Sequence, residues 1–147
     1  MKNNIGYTKA IELGQAALQN RDPAEICANT GVSWDGETYI MPWMGKSSKL
    51  TEGSIEEQII WYHYLATQGP KEPAGRYINY KQVPGAAIYN DNYVKRAINP
   101  MVKTFSHDLD GFLKRGENLG GKKVDLGHMA FTVNVLPFIP ITFVIWQ

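Results

Sequence analysis

Apolar residues return at helical intervals near the start of the chain. Tyr7, Ile11, Gly14 and Leu18 are separated by steps of four, three and four residues, which predicts an amphipathic helix over residues 5 to 19. Because a glycine occupies one position of this apolar stripe, we expect a second helix to approach it closely there.

Two further helices are predicted from their start signals. The stretch DPAE at residues 22 to 25 supplies a capping aspartate, a proline at the first helical position and an acidic first turn, and this helix should end near Gly31. The stretch SIEE at residues 54 to 57 is a capping box, in which a serine and a glutamate exchange hydrogen bonds with the backbone. It opens a helix that contains the stretch IIWYHYL, residues 59 to 65.

His63 stands among six large apolar or aromatic side chains in that stretch, so it belongs either to the core or to a ligand pocket. At about 100° of rotation per residue, His63 falls at the edge of the stripe that contains Ile59 and Tyr62. Trp61 and Tyr64 point well away from it, and one ligand can hardly touch all three. We therefore favour packing, with His63 at the boundary of the core.

The rest of the chain mixes strands, helices and loops. Strands are predicted where β-branched and aromatic residues cluster or alternate, and helices where apolar residues keep a helical spacing. The predicted elements are strands at residues 38–41, 46–51, 77–83, 124–135 and 139–146, a loop around Gly69 and Pro70, a helix from 90 to about 105 that Pro100 should kink or end early, and a helix capped by Ser106 that ends at Gly120 and Gly121.

These elements predict an α+β fold. We expect three to five helices packed on a small, partly antiparallel sheet, with a β-hairpin at the carboxyl end. The length of 147 residues suits a single domain that spans residues 1–147.

The charge balance argues against two classes of partner. Fifteen Lys and Arg against fourteen Asp and Glu leave a net charge of +1, so no overall field draws the chain to nucleic acid or anionic lipid. The densest basic cluster, residues 114 to 123, has no aromatic residue within it. The longest apolar run is broken by Pro137 and Pro140 and is too short to span a bilayer as a helix. We expect no nucleic-acid binding and no membrane insertion.

Cys27 is the single cysteine, which excludes an internal disulfide and a thiolate metal site within this chain. The amino-terminal stretch MKNNIGYTKA lacks the apolar segment of a secretory signal. We therefore predict a cytoplasmic, reducing setting, with Cys27 as a small buried apolar residue.

The chemical motifs are weak. The stretch GENLGGKK at residues 116 to 123 has the glycine spacing of a phosphate-binding loop, but Lys123 replaces the required Ser or Thr, and a helix precedes the glycines. A glycine cap at the end of a helix is the better interpretation. The histidines, His63, His107 and His128, lack the spacing that aims two imidazoles at one metal. The sequence therefore leaves open whether the protein is an enzyme, and it names no cofactor.

Several segments together resemble a known family. They are the helix that ends in HYL, the stretch YINYKQVPGAAIY at residues 77 to 89, the glycines after Leu119, and the closing stretch LPFIPITFVIW. The family is an uncharacterised prokaryotic one, domain of unknown function 3786, found in anaerobic bacteria and archaea. Some of its members carry a cysteine-rich iron–sulfur segment of the type seen with corrinoid proteins, which this chain lacks.

The resemblance implies an anaerobic, cytosolic setting and a tie to corrinoid or iron–sulfur protein metabolism. Members of the family continue past the position of Trp146, so the resemblance also implies that Gln147 ends this chain early, as a C-terminally truncated member. The family has no established catalytic residues to carry over.

Three hypotheses of function follow. The first is a non-enzymatic binding or accessory domain that holds a partner protein or a planar cofactor near the aromatic helix and the Tyr77–Tyr89 loop, with His63, Tyr80 and Lys81 as candidate cofactor-binding residues. The second is a small enzyme whose acid or base is His63 or His128, assisted by Lys81 or Tyr80. The third is a structural subunit completed by another chain or by carboxyl-terminal sequence that this chain lacks.

Overall fold

The computed structural model describes residues 5–68 and 72–147, so the predicted loop at Gly69 and Pro70 lies outside the described residues. The chain divides into two compact units. The first comprises Met1–Glu72 and Asn134–Pro140, and the second comprises Pro73–Val133 and Ile141–Gln147. The expectation of one domain over residues 1–147 stays a prediction.

The first unit contains the three helices that the sequence predicted. Its elements are α1 (Ile5–Leu18), α2 (Pro23–Thr30), β1 (Ser33–Trp34), β2 (Tyr39–Trp43), β3 (Lys46–Lys49), a 3-10 turn (Leu50–Glu52) and α3 (Ile55–Leu65). The start signals act as expected. The Asp22 carboxylate accepts a hydrogen bond from the Ala24 amide at 2.9 Å, and the capping box of Ser54 and Glu57 is complete.

The first sheet is antiparallel, in the order β1-β2-β3. Trp43 faces Lys46 across the end of the β2–β3 pair, so two residues form the turn. Both have positive φ, 47° at Met44 and 79° at Gly45, which a two-residue hairpin turn of this twist requires. The two strands predicted at residues 38–41 and 46–51 are confirmed, and they pair as a hairpin.

The core of the first unit gathers side chains from α2, β2, α3 and the tip of the carboxyl-terminal hairpin. It consists of Ile26, Val32, Tyr39, Met41, Leu50, Trp61, Tyr62, Tyr64, Leu65 and Leu136. Helix α1 packs against α3 at Gly14, which is buried, and a Cβ at this glycine would overlap the Cβ of Tyr62. The close approach expected at Gly14 is therefore confirmed.

The second unit contains the remaining elements. They are 3-10 turns at Tyr80–Gln82 and Ala87–Tyr89, α4 (Asn90–Tyr93), a π-helical segment (Val94–Ile98), α5 (Asn99–Phe105), α6 (Leu109–Asn118), β4 (Lys122–Val124), β5 (Met129–Leu136) and β6 (Ile139–Ile145). Strands β5 and β6 form the predicted carboxyl-terminal hairpin, and residues 134–140 around its turn count with the first unit. The α+β class is confirmed, with the strands in two three-stranded sheets.

Four phenylalanines form the centre of the second unit. Phe112 lies between Phe105 and Phe131, at ring distances of 5.6 and 4.7 Å, and Phe131 stacks on Phe143 at 5.1 Å. Gly116 faces the ring of Phe131, where a side chain would collide with it. Helix α6 can therefore lie close to strand β5.

Pro100 changes the helix around it without ending it. The chain stays helical from Asn90 to Phe105. Its regular α-helical hydrogen bonding is interrupted by the π-helical segment before Pro100. There the Asn99 amide donates to the Val94 carbonyl, five residues back. Proline has no N–H for the carbonyl four residues earlier and its ring crowds that carbonyl, so a wider turn relieves the clash.

Three local predictions were wrong. Residues 124–135 form not one strand but the end of β4 and most of β5, which pair antiparallel across a turn that contains Gly127 at a φ of 57°. Residues 77–83 form no strand but a loop with a 3-10 turn, in which the Gln82 side chain accepts from the Asn79 amide at 2.8 Å. Local side-chain bonds of this kind compete with a strand that has no neighbour to pair with. Helix α6 is capped by Asp108, not Ser106, because the Asp108 carboxylate accepts from the Gly111 amide.

Of the helices in the described part of the chain, none combines the length and the apolar character needed to cross a membrane.

We expect Gly14→Ala to destabilise the protein. Overpacking against Tyr62 should cost about 1–3 kcal/mol, which exceeds the roughly 1 kcal/mol that alanine gains over glycine in a helix. Gly6→Ala is the matched control, because it lies on the same helix and its added Cβ would meet nothing within 4 Å. Thermal unfolding of both variants checks this. An equal or higher Tm for Gly14→Ala than for Gly6→Ala would contradict the close α1–α3 contact.

Candidate functional site

The aromatic residues of α3 are taken up by packing. Trp61, Tyr62, Tyr64 and Leu65 are all buried, and together they cover an arc of about 160° at 100° per residue. His63 lies outside this arc and is exposed, so it is not held against the rim of the core as the sequence suggested. The stretch IIWYHYL is therefore core on one side and surface at the histidine.

The hydroxyl of Tyr64 has a structural role. It donates to the Thr30 carbonyl at 2.6 Å, at the end of α2, and accepts from the Phe138 amide at 3.2 Å, in the turn of the carboxyl-terminal hairpin. Burial raises the pKa of Tyr64, and the bond from the Phe138 amide lowers it by a smaller amount. The hydroxyl therefore stays protonated and engaged, so it is no free contact for a ligand.

The other reactive side chains are dispersed. Cys27 is half-buried against the core, and burial together with the nearby Asp22 carboxylate raises the pKa of its thiol, which disfavours the nucleophilic thiolate. His107 is exposed, as expected. His128 is also exposed, and its Nδ1 accepts from the Gln147 amide at 2.8 Å. Within residues 5–68 and 72–147, no three His, Cys, Asp or Glu side chains gather where they could hold a metal ion.

The second unit contains a shallow cleft of about 390 Å³, which we call the tyrosine cleft. Its lining consists of Tyr80, Tyr89, Asn92, Tyr93, Arg96 and Ala97. The rings of Tyr80 and Tyr93 stack with centroids 4.2 Å apart and planes inclined by 13°. The cleft thus combines flat aromatic walls with one guanidinium group that has no carboxylate partner among the described residues.

The loop that leads into the cleft exposes large apolar side chains. Within residues 77–89, Ile88 is 81% exposed, Tyr77 68% and Tyr89 58%, and Ile78 and Val83 are exposed as well. We call these five side chains the apolar loop patch. Several large apolar side chains exposed within one loop are less usual than a single one.

Successive turns fix the backbone of this loop. The amides of Val83, Ala86 and Tyr89 each donate to a carbonyl three residues earlier, at 2.9–3.1 Å. Pro84 and Gly85 form a turn whose glycine has φ of 78°, which the third position of a type II turn demands. Ala86 is buried and anchors the loop. Local hydrogen bonds therefore fix the backbone that carries Val83, Ile88 and Tyr89.

The first unit has a larger but more open groove of about 680 Å³ along α1 and the first sheet. Trp34 and Tyr39 meet there edge to face at 4.8 Å, and Glu12 and Glu37 add negative charge. Tyr62 contributes a hydroxyl that Gln15 contacts at 3.4 Å. The apolar loop patch, which shares Tyr89 with the tyrosine cleft, makes that cleft the better candidate.

The three predicted cofactor-binding residues fall in different places. Tyr80 lines the tyrosine cleft, and Lys81 follows it on the same 3-10 turn, exposed but outside the lining. His63 belongs to the first unit and both other residues to the second. Their cofactor-binding role stays a prediction.

Sequence reasoning missed Tyr89, Tyr93 and Arg96 as members of one site. Their spacing of four and three residues is the signal that could have found them, because it places the three side chains on one face of a helix. The sequence analysis placed Tyr89 in the Tyr77–Tyr89 loop and Tyr93 and Arg96 in a separate helix, so the three were not combined.

The glycine-rich stretch at residues 116–123 caps a helix, as the sequence predicted. It runs from α6 into β4, and the Gly121 amide donates to the Gly116 carbonyl at 2.8 Å. Such a helix end presents carbonyls rather than the amides that bind phosphate.

A family model described as a domain of unknown function, DUF3786, matches residues 22–147, which is most of the chain. No curated protein and no solved structure matches.

We expect Tyr64→Phe to destabilise the protein by about 1–3 kcal/mol, because the buried Thr30 carbonyl loses its donor. Tyr62→Phe is the control. Its hydroxyl makes a longer contact of 3.4 Å, so this loss should cost less. Urea unfolding at neutral pH measures both.

The same variant has a pH signature. The pKa of Tyr64 is raised in the folded protein. The stability that this shift contributes is therefore fully present below the unfolded tyrosine pKa of about 10 and is lost as pH rises through the folded pKa. Burial also raises the pKa of Tyr39. Tyr64→Phe should therefore reduce, without removing, the fall in stability above about pH 10. An alkaline slope identical to that of the unchanged protein would contradict this assignment.

Proposed function

Since the chain belongs to the DUF3786 family, whose function is unknown, we propose from its own surface chemistry that it is a non-enzymatic accessory domain that docks a partner protein. The docking surface is the apolar loop patch together with the tyrosine cleft. The observation that carries this proposal is the outward exposure of five large apolar side chains on one ordered loop.

Burial on a partner would explain that exposure. Isolated apolar side chains at a surface are ordinary, but a contiguous patch marks an interaction site. Residues 77, 78, 83, 88 and 89 all lie within one short loop, which keeps the five exposed side chains near one another along the chain. Burying these side chains against a partner would stabilise the complex by about 25 cal/mol per Å² of apolar surface removed from water.

The residue types at the cleft also suit protein recognition. Tyrosine and arginine are enriched among the residues that dominate binding energy at protein interfaces. The tyrosine cleft has three tyrosines and Arg96 in its lining. The stack of Tyr80 on Tyr93 holds both rings in place before binding, which reduces the entropy lost when a partner arrives.

The setting comes from the family resemblance. We propose that the protein works in the cytoplasm of anaerobic bacteria and that its partner belongs to corrinoid or iron–sulfur protein metabolism. An anaerobic absorbance spectrum of the identified partner tests whether it contains a corrinoid or an iron–sulfur cluster.

A planar cofactor in the tyrosine cleft is the second candidate function. It is favoured by one observation, the flat stacked wall of Tyr80 beside the cation of Arg96. Titration with haem, cobalamin and flavins, followed by absorbance and calorimetry, tests it. Saturable binding that Tyr80→Ala removes would favour the cofactor, whereas no binding of any of the three would exclude these cofactors.

The docking proposal predicts crosslinking at one position and not at another. A photoreactive phenylalanine analogue at position 88, in the full chain expressed in its own bacterium, should attach to one defined protein. The same analogue at position 13 should not, although Leu13 is also exposed, at 60%. The attached protein is then purified.

Binding of that purified protein supplies the decisive measurement. Ile88→Asp should raise the Kd for that protein by about tenfold or more, which corresponds to roughly 1.4 kcal/mol, because a charge would enter an apolar contact. Leu13→Asp should leave the Kd unchanged. Equal crosslinking at the two positions, or equal effects of the two substitutions, would overturn the proposal.

A further inference from the structure

The nearly neutral chain conceals two units of opposite charge. The first unit holds six Lys and Arg against nine Asp and Glu, a net of −3, and the second holds nine against five, a net of +4. An overall charge of +1 is the sum of these two values. The docking surface lies entirely in the basic unit.

The positive charge is dense around that surface. Arg76, Lys81, Lys95 and Arg96 are all exposed, and Asp91 is the one acidic residue between positions 76 and 96. Both ion pairs seen among the described residues, Arg21 with Glu25 and Lys49 with Asp35, lie in the first unit. The four cations near the cleft thus lack a carboxylate partner within residues 5–68 and 72–147.

We propose that the partner binds through an acidic peptide segment that places an apolar side chain on the apolar loop patch and a carboxylate at Arg96. This inference rests on the proposed docking function and names the chemistry of its partner. A guanidinium can bind a carboxylate through two parallel hydrogen bonds, which fixes the direction of the segment as well as its position.

The aromatic surroundings strengthen that contact. Arg96 shares the cleft with the rings of Tyr80, Tyr89 and Tyr93. A bound segment would remove water from this shallow cleft of about 390 Å³, and an ion pair gains strength where water is excluded. Lys81 and Lys95 are exposed and follow or precede a lining residue, Tyr80 and Arg96, directly in the chain, so their charge would help to steer acidic residues toward the cleft.

The same positive charge would suit single-stranded nucleic acid, but the apolar side chains favour a protein. Ile78, Val83 and Ile88 are aliphatic and exposed, and a nucleic-acid backbone offers them nothing to pack against. Tyr80 and Tyr93 cover one face of each other, which leaves fewer free ring faces for bases. Aliphatic and cationic groups side by side fit an acidic peptide with apolar anchors.

A library of random 12-residue peptides displayed on phage, selected against the full chain, supplies the probe. Selected peptides should combine an apolar side chain with at least two carboxylates, in contrast to the unselected library. One such peptide is synthesised, and its Kd is measured by fluorescence anisotropy. Its Kd should rise about tenfold between roughly 50 and 300 mM sodium chloride, because salt screens the charges at the exposed rim.

Charge-reversal variants locate the contact. Arg96→Glu should raise the Kd of the peptide at least tenfold. Replacing the carboxylates of the peptide by amides should raise it by as much. Lys114→Glu is the matched control, with the same change of charge, an exposed side chain in the same unit and no place in the lining of the cleft. It should change the Kd less than twofold.

Each outcome separates the two proposals. If Ile88→Asp abolishes peptide binding but Arg96→Glu and the salt series have no effect, the docking function stands and the acidic partner is overturned. If neither substitution changes binding, or if no peptide is selected, both fail. A labelled oligouridine that binds more tightly than the peptide and is released by Arg96→Glu would replace the acidic peptide by nucleic acid. Self-association of the chain that salt disrupts and Arg96→Glu prevents would replace it by a second copy.

Discussion

The hydroxyl of Tyr64 holds the first unit together at one buried point. It joins the end of α2, through the Thr30 carbonyl, to the turn of the carboxyl-terminal hairpin, through the Phe138 amide. These partners lie 34 and 74 residues away along the chain. A single group that satisfies two backbone groups at such separation ties α3 to both segments, and Trp61 and Leu65 are buried on the same helix.

This use of the aromatic helix decides where function can lie. Aromatic residues at a predicted helix suggest equally a core or a ligand pocket, because both need large flat side chains. Here the core takes Trp61, Tyr62 and Tyr64, and His63 is left on the surface without an aromatic wall beside it. Two tyrosines of the second unit, Tyr77 and Tyr89, are exposed instead, on a loop in which several backbone amides bond to carbonyls three residues earlier.

Charge follows the same division. A nearly neutral chain argues against a strong field only if its charges are mixed, and here they separate into a unit of −3 and a unit of +4. Net charge and the basic cluster at residues 114–123 gave no reason to expect an electrostatic partner. The charge of Arg96 becomes relevant only beside the tyrosines of the cleft. The proposed acidic partner depends on that neighbourhood.

The sequence by itself determined the features that residues two to four apart can settle. Asp22 and Ser54 cap their helices, Met44 and Gly45 make a hairpin turn, and Gly120 ends α6 with a φ of 76°, because each effect needs only local backbone geometry. Membership in the DUF3786 family could also be inferred from the chain alone.

Only the tertiary structure decided which side chains are buried and which are exposed. Residues 77–83 have the composition of a strand but no neighbouring strand to pair with, so Asn79 and Gln82 bond locally instead. The stack of Tyr80 on Tyr93 joins two segments that periodicity treats separately. Burial and strand pairing depend on residues that are distant in sequence. A local pattern of residue types does not include those contacts.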